Sequence, residues 1–469
     1  MGRSRATSLV AVLLAAGTAL AACSSSGKKA TTTTSAPATS AGPATSAGPA
    51  TSSTSGAPVA LTASFRGVTA TSIKVGIVTI DYTCIKQFVD YNFGNEPAIA
   101  QVLIDDLNAH GGILGRKIDP VYKSYCPIGN TGALAVCTSL TEDDKVFAVV
   151  GLLYDNTGDA DLCLARDHQT VYIGFQLTQQ TIGQAPPGLM LSTDITAERR
   201  STVLLNLLAA QGTLTGKKVA TFTDADTTAV KTAIKPALDR MGVAQGSAAV
   251  VTIVGSDTSA AQAQLESFIE KWKGEGVDTI ILSGNFVTAK QFVEKIKAAM
   301  PDALLITDGE ASAQGGGQDE TTAGRKPNPY DGMITASGLS DLDVWHSAPI
   351  QQCVTTYQNG SGQTVIGPDQ LKPGPDGKLV QVWQSVRDFC GYLSMLSQIA
   401  DKAGPDLSNT TWSRAAGSFG EMKLPGSVFA SVHSGKYDAD DGFRLVAFDS
   451  TIGNKGDYKP LTPIEDASK

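Results

Sequence analysis

Short apolar strands alternate with amphipathic helices along most of this chain, and this alternation limits the possible folds more than any other feature. Residues 73–80 are rich in β-branched side chains and predict a strand, and residues 95–108 place apolar side chains on one helix face. Further strands are predicted at 117–122, 146–150, 171–173, 218–222, 248–253, 278–282 and 303–306, and helices at 131–140, 159–166, 200–211, 227–241, 260–273 and 288–299. Such alternation specifies parallel sheets that are covered by helices on both faces. We therefore predict an α/β protein with two doubly wound, Rossmann-like lobes.

The remaining third of the chain has a weaker pattern. Residues 310–331 contain a run of three glycines, Gly315 to Gly317, and their composition predicts a loop. A strand is predicted at 332–336, a long helix at 379–403 and a last strand at 444–448. Because the apolar side chains of the long helix form one stripe, we interpret that helix as core and not as ligand-binding surface.

Charge and composition exclude several classes of function. Lys and Arg number 37 against 45 Asp and Glu, which gives a net charge of -8 and no basic surface for nucleic acid. With four histidines and no Cys-x-x-Cys pair, no metal site is expected. No cofactor is expected either, because the predicted strand ends carry no glycine-rich phosphate loop.

The N-terminal segment predicts export and a lipid anchor. Arg3 and Arg5 precede an apolar run at 9–20, which is the pattern of a secretory signal peptide. Leu20-Ala21-Ala22-Cys23 resembles the bacterial lipobox, which implies that residues 1–22 are removed and Cys23 is lipidated. An ordinary signal peptide with a chance cysteine is the alternative. Residues 23–65 are almost wholly Ser, Thr, Ala, Gly and Pro, and we expect them to be a disordered linker.

A glycine-rich motif at residues 108–118, Asn-Ala-His-Gly-Gly-Ile-Leu-Gly-Arg-Lys-Ile, follows the first predicted strand and helix. Together with that strand and with residues 142–151 and 401–404, it resembles the Leu/Ile/Val-binding-protein-like family over about residues 73–450. The paired glycines can end a helix in a left-handed conformation, so we interpret the motif as architectural.

The resemblance implies a type 1 periplasmic binding fold, in which two lobes are joined by three crossing segments. The crossings would fall near residues 191–194, 336–339 and 424–429. Lobe 1 would comprise 66–192 plus 340–424, lobe 2 would comprise 193–339 plus 425–460, and 461–469 would be a tail. Open parallel sheets bind ligands at the carboxyl ends of their strands, which agrees with a ligand held between the lobes.

The candidate ligand-binding residues all lie just past predicted strands. They are Tyr82, Tyr154, Asn156, Thr157, Gln176 and Thr178 on lobe 1, and Asp226, Asn285, Phe286 and Glu310 on lobe 2. Amino-acid-binding members of the family hold the ligand carboxylate with a serine-rich turn, which this chain lacks, and Asp155 would repel a carboxylate. Glu310 resembles the family's partner for a ligand ammonium. The alternative is that such polar residues only cap helices and that the aromatic residues only pack.

The six cysteines after Cys23 are even in number, which favours three disulfides in an exported protein. Fifteen pairings are possible. Adjacency of the predicted elements favours Cys84 with Cys126, Cys137 with Cys163, and Cys353 with Cys390. A catalytic cysteine is the alternative.

The sequence and the resemblance together lead to one functional hypothesis. The protein is expected to be a monomer anchored by lipid on the extracytoplasmic side of the cell membrane. It would capture a small polar ligand, such as an amino acid or an amide, and deliver it to an ABC permease. A ligand-sensing receptor of the same fold is the first alternative. An enzyme is less favoured, because the predicted strand ends carry neither a Ser-His-Asp set nor a G-x-S-x-G motif.

Overall fold

The computed structural model describes residues 61–85, 92–153, 157–175, 177–224, 227–252, 259–284, 286–371 and 380–468, all within the compact unit Pro58–Lys469. Its strands are β1 (Ser72–Ile80), β2 (Lys117–Tyr125), β3 (Ala148–Gly151), β4 (Val171–Gly174), β5 (Met190–Ser192), β6 (Lys218–Thr223), β7 (Ala244–Gln245), β8 (Ala249–Val250), β9 (Thr279–Ser283), β10 (Leu304–Thr307), β11 (Ile334–Ser337), β12 (Gly420–Glu421), β13 (Ser431–Val432), β14 (Gly442–Asp449), β15 (Asp457–Pro460) and β16 (Glu465–Asp466). Its α-helices are α1 (Glu96–Ala109), α2 (Thr131–Thr138), α3 (Asp159–Leu162), α4 (Gln179–Gln184), α5 (Ala197–Ala210), α6 (Lys235–Arg240), α7 (Ser259–Glu275), α8 (Lys290–Ala299), α9 (Glu310–Thr322), α10 (Asp341–His346), α11 (Ala348–Ser361), α12 (Val382–Ala403) and α13 (Asn409–Gly417). No helix of the described residues has the length and the apolar character that a membrane span requires.

The first lobe is built on a parallel five-stranded sheet with the order β2-β1-β3-β4-β5. Every residue of β3 and β4 is buried, because helices cover both faces of the sheet. The long helix α12 packs on β3 and β4 and buries an apolar stripe that includes Phe389, Leu396 and Ile399. This stripe is the core surface that the sequence predicts for that helix.

The second lobe is built on a mixed sheet with the order β15-β14-β11-β10-β9-β6-β7, to which β8 and β16 add short pairings. Strands β6, β9, β10 and β11 are parallel, and β14 runs antiparallel to β11. One face buries Phe222, Trp272 and Phe292, and the other buries Leu204 and Leu208. Two covered faces confirm the doubly wound α/β architecture that the alternation predicts.

The chain passes between the two sheets three times. The first two passages, at 193–196 and 338–340, lie at or beside the expected positions. The third lies at 438–441, later than the expected 424–429, because the hairpin of β12 and β13 returns to the first lobe and buries Ala430 and Val432 in its core. Backbone pairing of Ser192 with Asp438 brings the first and third crossings together.

The predicted loop at 310–331 is wrong for its first half, which forms the helix α9. Gly316 and Gly317 permit close packing of this helix, because a Cβ on Gly317 would lie 2.5 Å from Cζ of Phe448 and one on Gly316 would contact the Tyr330 ring. The glycines therefore accommodate aromatic rings and do not break the helix. The predicted strand at 248–253 is also shorter than expected, because β8 comprises only Ala249–Val250.

The glycine-rich motif at 108–118 is architectural, as predicted. Gly112 has φ of +66°, and a Cβ there would lie 2.0 Å from the Arg116 carbonyl oxygen. The Asn108 side chain donates to the Ile118 carbonyl and accepts from its N–H, which joins the end of α1 to β2. Arg116 is buried and donates to the carbonyls of Thr62, Thr69 and Pro405.

Candidate functional site

The candidate site lies at the carboxyl ends of the parallel strands, beside the crossings. Four of the predicted site residues, Tyr82, Thr157, Thr178 and Glu310, have described side chains. Tyr154, Asn156, Gln176, Asp226 and Asn285, the side chain of Phe286, and the N-terminal segment with Cys23 lie outside the described residues. Two hollows of the described surface lie elsewhere, one between α7 and α8 and one beside Lys74 and Asp119 at the opposite edge of the first sheet.

Tyr82 begins a 3-10 turn, Tyr82–Ile85, that directly follows β1. Its ring packs edge-to-face on Phe93, with 5.2 Å between the ring centroids. Asp81 shapes the turn, because its carboxylate accepts hydrogen bonds from the N–H and the hydroxyl of Thr83. The disulfide between Cys84 and Cys126 ties the turn to the end of β2. An aromatic pair is therefore held at the strand-end edge of the first lobe.

Thr157 and Thr178 both make local contacts at helix starts. The Thr157 hydroxyl donates to Asp159 over 2.8 Å, and the Thr178 hydroxyl accepts from the N–H of Thr181 over 3.0 Å. Thr178 is the N-cap residue of α4. The observed contacts of Thr178 are therefore those of a helix cap, which is the alternative to ligand binding that the sequence analysis gives for such polar residues.

Glu310 lies at the start of α9 and forms an ion pair with Arg200 of α5, with 2.6 Å between Oε2 and Nη1. Arg200 also pairs with Asp194 of the first crossing over 3.2 Å. Burial alone would lower the pKa of Arg200, but the charges of Asp194 and Glu310 raise it. Burial raises the pKa of Glu310 despite the Arg200 charge. The acidic residue expected to meet a ligand ammonium is therefore already neutralised by an arginine of its own lobe.

Asp440 of the third crossing lies in the same electrostatic neighbourhood. Burial and repulsion by Asp194 raise the pKa of Asp440 to about 7. Asp308, in contrast, is a structural link, since its carboxylate accepts from the hydroxyls of Ser201 and Ser283. These bonds hold the ends of β9 and β10 to α5.

A group of residues on α1 and α12 was missed in the sequence. Burial, together with repulsion by Asp388, raises the pKa of Glu96 to about 7. Arg387 pairs with Asp388, with 2.9 Å between Nε and Oδ1, and lies over the Trp383 ring. The sequence analysis interpreted α12 only as a core helix because of its apolar stripe. The polar side chains in the first turns of α12 were therefore not considered. The acidic residue in the first turn of α1 was the available signal.

A buried charge cluster joins the first and third crossings. Arg199 lies 2.8 Å from a carboxylate oxygen of Asp438 and 2.8 Å from one of Asp441. Lys436 lies 3.0 Å from Asp441, and Thr196 donates its N–H and hydroxyl to Asp438. Burial would raise the pKa of Asp438, but the Arg199 guanidinium holds it below its usual value. This cluster fixes the relative positions of two hinge segments.

The structure contains three disulfides, Cys84–Cys126, Cys137–Cys163 and Cys353–Cys390, which are the pairs that adjacency of the elements favours. All three lie on the first lobe and link turns or helices around its sheet. His168 lies close to the sulfurs of Cys137 and Cys163. Because these sulfurs are bonded to each other, the three residues do not form a thiolate metal site.

The chain was compared with known proteins. The periplasmic binding protein family matches residues 98–364, which is more than half of the chain. No curated protein matches significantly. The similar solved structures include an ABC transporter substrate-binding protein from Desulfitobacterium hafniense in complex with Leu, at 13% identity and TM-score 0.57, covering 83% of this chain and 100% of that one. They also include a solute-binding protein of an ABC transporter from R. palustris in complex with 4-hydroxybenzoate, at 14% identity and TM-score 0.57, covering 84% and 98%. A leucine-binding protein from Thermotoga maritima is 12% identical with TM-score 0.56, covering 84% and 99%.

The chain belongs to the periplasmic binding protein family. Its two doubly wound lobes, joined by three crossings, form the type 1 periplasmic binding fold, which the solved structures share. The family is one of periplasmic binding proteins, and not of enzymes. The resemblance stated from the motif at 108–118 is thereby confirmed.

Proposed function

We propose that the protein is a lipid-anchored, monomeric solute-binding protein that captures a small polar ligand between its lobes for uptake by an ABC permease. The observation that carries this proposal is the position of the charged strand-end groups. Glu310 and Asp194 are both paired with Arg200 beside the first crossing. The charge of Asp194 also raises the pKa of Arg387 on the first lobe. Solved proteins of this fold are described as complexes with leucine or 4-hydroxybenzoate, which agrees with a small ligand at this place.

The proposed contacts are those that follow the strands: Tyr82, Tyr154, Asn156, Thr157, Gln176 and Thr178 on the first lobe, and Asp226, Asn285, Phe286 and Glu310 on the second. They supply hydroxyl, amide and carboxylate partners, and the rings supply an apolar wall. Few precisely placed polar groups within an apolar lining are typical of small-molecule sites.

Mass spectrometry of small molecules released from natively purified protein tests the binding function. A stoichiometric compound that rebinds to stripped protein is the expected result. Tyr82→Ala should weaken its rebinding by about tenfold or more, since one lost contact of 1.4 kcal/mol already has this effect. The apo protein should keep its thermal transition. If Tyr82→Ala binds normally, the ligand does not lie against this turn.

The lipid anchor has its own test. Cys23→Ala should leave the membrane fraction and lose the acyl mass, whereas the neighbouring Ser24→Ala should stay membrane-bound with the mass intact. Several acyl chains contribute about 0.8 kcal/mol for each buried methylene, so their loss should release the protein completely. A Cys23→Ala protein that remains membrane-bound with unchanged mass would show that the anchor lies elsewhere.

A further inference from the structure

The short helix α10 directly follows the second crossing and belongs to the first lobe. Its Val344 is buried in the core of that lobe, and the helix packs on α11. Ser340 caps α10, because its hydroxyl accepts from the Asp343 N–H over 3.2 Å and lies 2.9 Å from an oxygen of the Asp343 carboxylate. The cap therefore fixes the position of the Asp343 side chain at the edge of the first lobe.

Arg444 of the second lobe reaches this carboxylate. It lies on β14, and its Nη2 is 3.1 Å from Oδ2 of Asp343. The Arg444 side chain is 16% exposed and that of Asp343 is 49% exposed. In the described part of the chain, the buried Nε of Arg444 has no hydrogen-bond partner. Separation of the pair would take the Asp343 carboxylate away from a largely buried cation, which is unfavourable.

A second polar contact joins the lobes beside the first crossing. Glu198, in the first turn of α5, accepts from the N–H of Gln179 over 2.9 Å and from that of Gln180 over 3.4 Å. These two amides begin α4 of the first lobe, and a carboxylate is favoured at the start of a helix. Side chains of the second lobe thus hold the first lobe at two places outside the crossings.

The angle between the lobes controls both contacts. The buried cluster around Arg199 holds the crossings to each other, whereas Arg444 and Glu198 hold groups that lie beyond the crossings. A rotation about the crossings carries Arg444 with the second lobe and Asp343 with the first, so it changes the distance between their charged atoms. Any rotation away from the angle in this structure, including one that a ligand drives, works against these contacts.

We propose that the ion pair of Arg444 with Asp343, together with Glu198 at the start of α4, is a clasp that holds the two lobes at the angle of this structure. The clasp is electrostatic and partly exposed, so dissolved salt weakens it. None of its residues is among the ligand contacts proposed above, and its test requires no ligand. A result against the clasp therefore leaves the proposed binding function intact.

Double electron–electron resonance on stripped, full-length protein measures the lobe angle as the distance between two spin labels. Ser267→Cys on α7 and Thr410→Cys on α13 place one label at an exposed position of each lobe. Loss of an exposed ion pair shifts an equilibrium by about two- to fivefold. Asp343→Asn and Arg444→Gln should therefore each widen the distance distribution, with the population at new distances increased by this factor. Asp343→Asn keeps the backbone N–H that Ser340 caps.

Asp341→Asn is the matched control. Asp341 lies two residues from Asp343 on the same helix, but its arginine, Arg387, lies on α12 of the same lobe at 3.9 Å. The substitution removes the same charge from α10 without removing a contact between the lobes, so it should leave the distance distribution unchanged. Glu198→Ala should widen the distribution, and its combination with Asp343→Asn should widen it further.

Salt gives a second readout, which separates the clasp from a general loosening of the fold. The screening length falls from about 10 Å at about 0.1 M salt to about 3 Å at about 1 M. NaCl over this range should widen the distribution of the unchanged protein and have little effect on the double variant Glu198→Ala with Asp343→Asn. If Asp343→Asn leaves the low-salt distribution unchanged, or if Asp341→Asn widens it equally, the inference is wrong.

Discussion

At the scale of single residues, Glu96 imposes a stability cost that depends on pH. Its carboxyl has a pKa of about 7 in the folded protein against an ordinary 4.5, so the native state holds the proton more tightly than the unfolded chain. Below pH 4.5 both states are protonated and the cost is absent. As the pH rises to 7 the cost grows, and above 7 it is fully present.

Glu96→Gln should therefore stabilise the apo protein at pH 8 by roughly 1–3 kcal/mol and change it little at pH 4. Urea unfolding at the two pH values measures the difference. Asp106→Asn, the same change of charge on the exposed face of α1, serves as the control and should show no such pH-dependent gain. An equal effect of Glu96→Gln at both pH values would mean that the substitution acts through packing and not through the buried charge.

Arg199 has the opposite effect on stability. It is the guanidinium partner of Asp438 and Asp441, whose side chains are 0% and 1% exposed. Arg199→Met would leave these carboxylates with Lys436 as their one cation among the described residues and should destabilise the protein by about 3–5 kcal/mol. Thermal unfolding compares it with Arg240→Met, a change at an exposed arginine that should be nearly neutral. Equal melting temperatures would show that the buried cluster is not needed to hold the crossings.

At the scale of elements, the glycines of α9 provide a matched pair of substitutions. Gly315 is exposed with no atom within 4 Å of its ideal Cβ, so Gly315→Ala should stabilise the helix by about 0.5–1 kcal/mol. Gly317 packs on Phe448, and Gly317→Ala should destabilise by about 1–3 kcal/mol through overpacking. Chemical denaturation measures both. Effects of the same sign would contradict the packing assigned to α9.

The element scale also shows which features a sequence can predict. The strands β3 and β4 are apolar at every position and are recognised by composition alone, whereas α9 is polar and glycine-rich because its apolar contacts come from Phe448 and Tyr330 on other elements. The predicted position of the third crossing was wrong for a similar reason. The hairpin of β12 and β13 belongs to the first lobe because it is buried against residues that are distant in the chain. Periodicity reports local amphipathicity and carries no information on such distant partners.

The candidate site was less predictable than the fold. Position after a strand is enough to place Tyr82 at the strand-end edge, but it does not reveal that Glu310 is paired with Arg200 or that repulsion by Asp388 raises the pKa of Glu96. These pairings join elements that are more than a hundred residues apart in the chain. Charge compensation is therefore a property of the folded edge, and the sequence does not reveal which carboxylate an arginine neutralises.

At the scale of the whole molecule, the crossings determine what motion is available. The first and third crossings are joined by the Ser192–Asp438 pairing and by Arg199. The second crossing lies at 338–340, where Gly338 approaches the Gly442 carbonyl. Short crossing segments of this kind are where a hinge rotation between two lobes takes place. A ligand that contacts both lobes then favours the closed form by its differential affinity.

Small-angle scattering of stripped protein should therefore show a smaller radius of gyration when the co-purified ligand is added to saturation. Tyr82→Ala should show the same compaction only at the higher ligand concentration that its weaker binding requires, because the substitution changes affinity and leaves the crossings intact. Glu96→Gln, without ligand, should scatter like the unchanged protein, since the charge of Glu96 lies within one lobe. Calorimetric saturation with an unchanged scattering curve would contradict delivery to a permease, because a transporter that accepts only loaded protein must distinguish it from empty protein by shape.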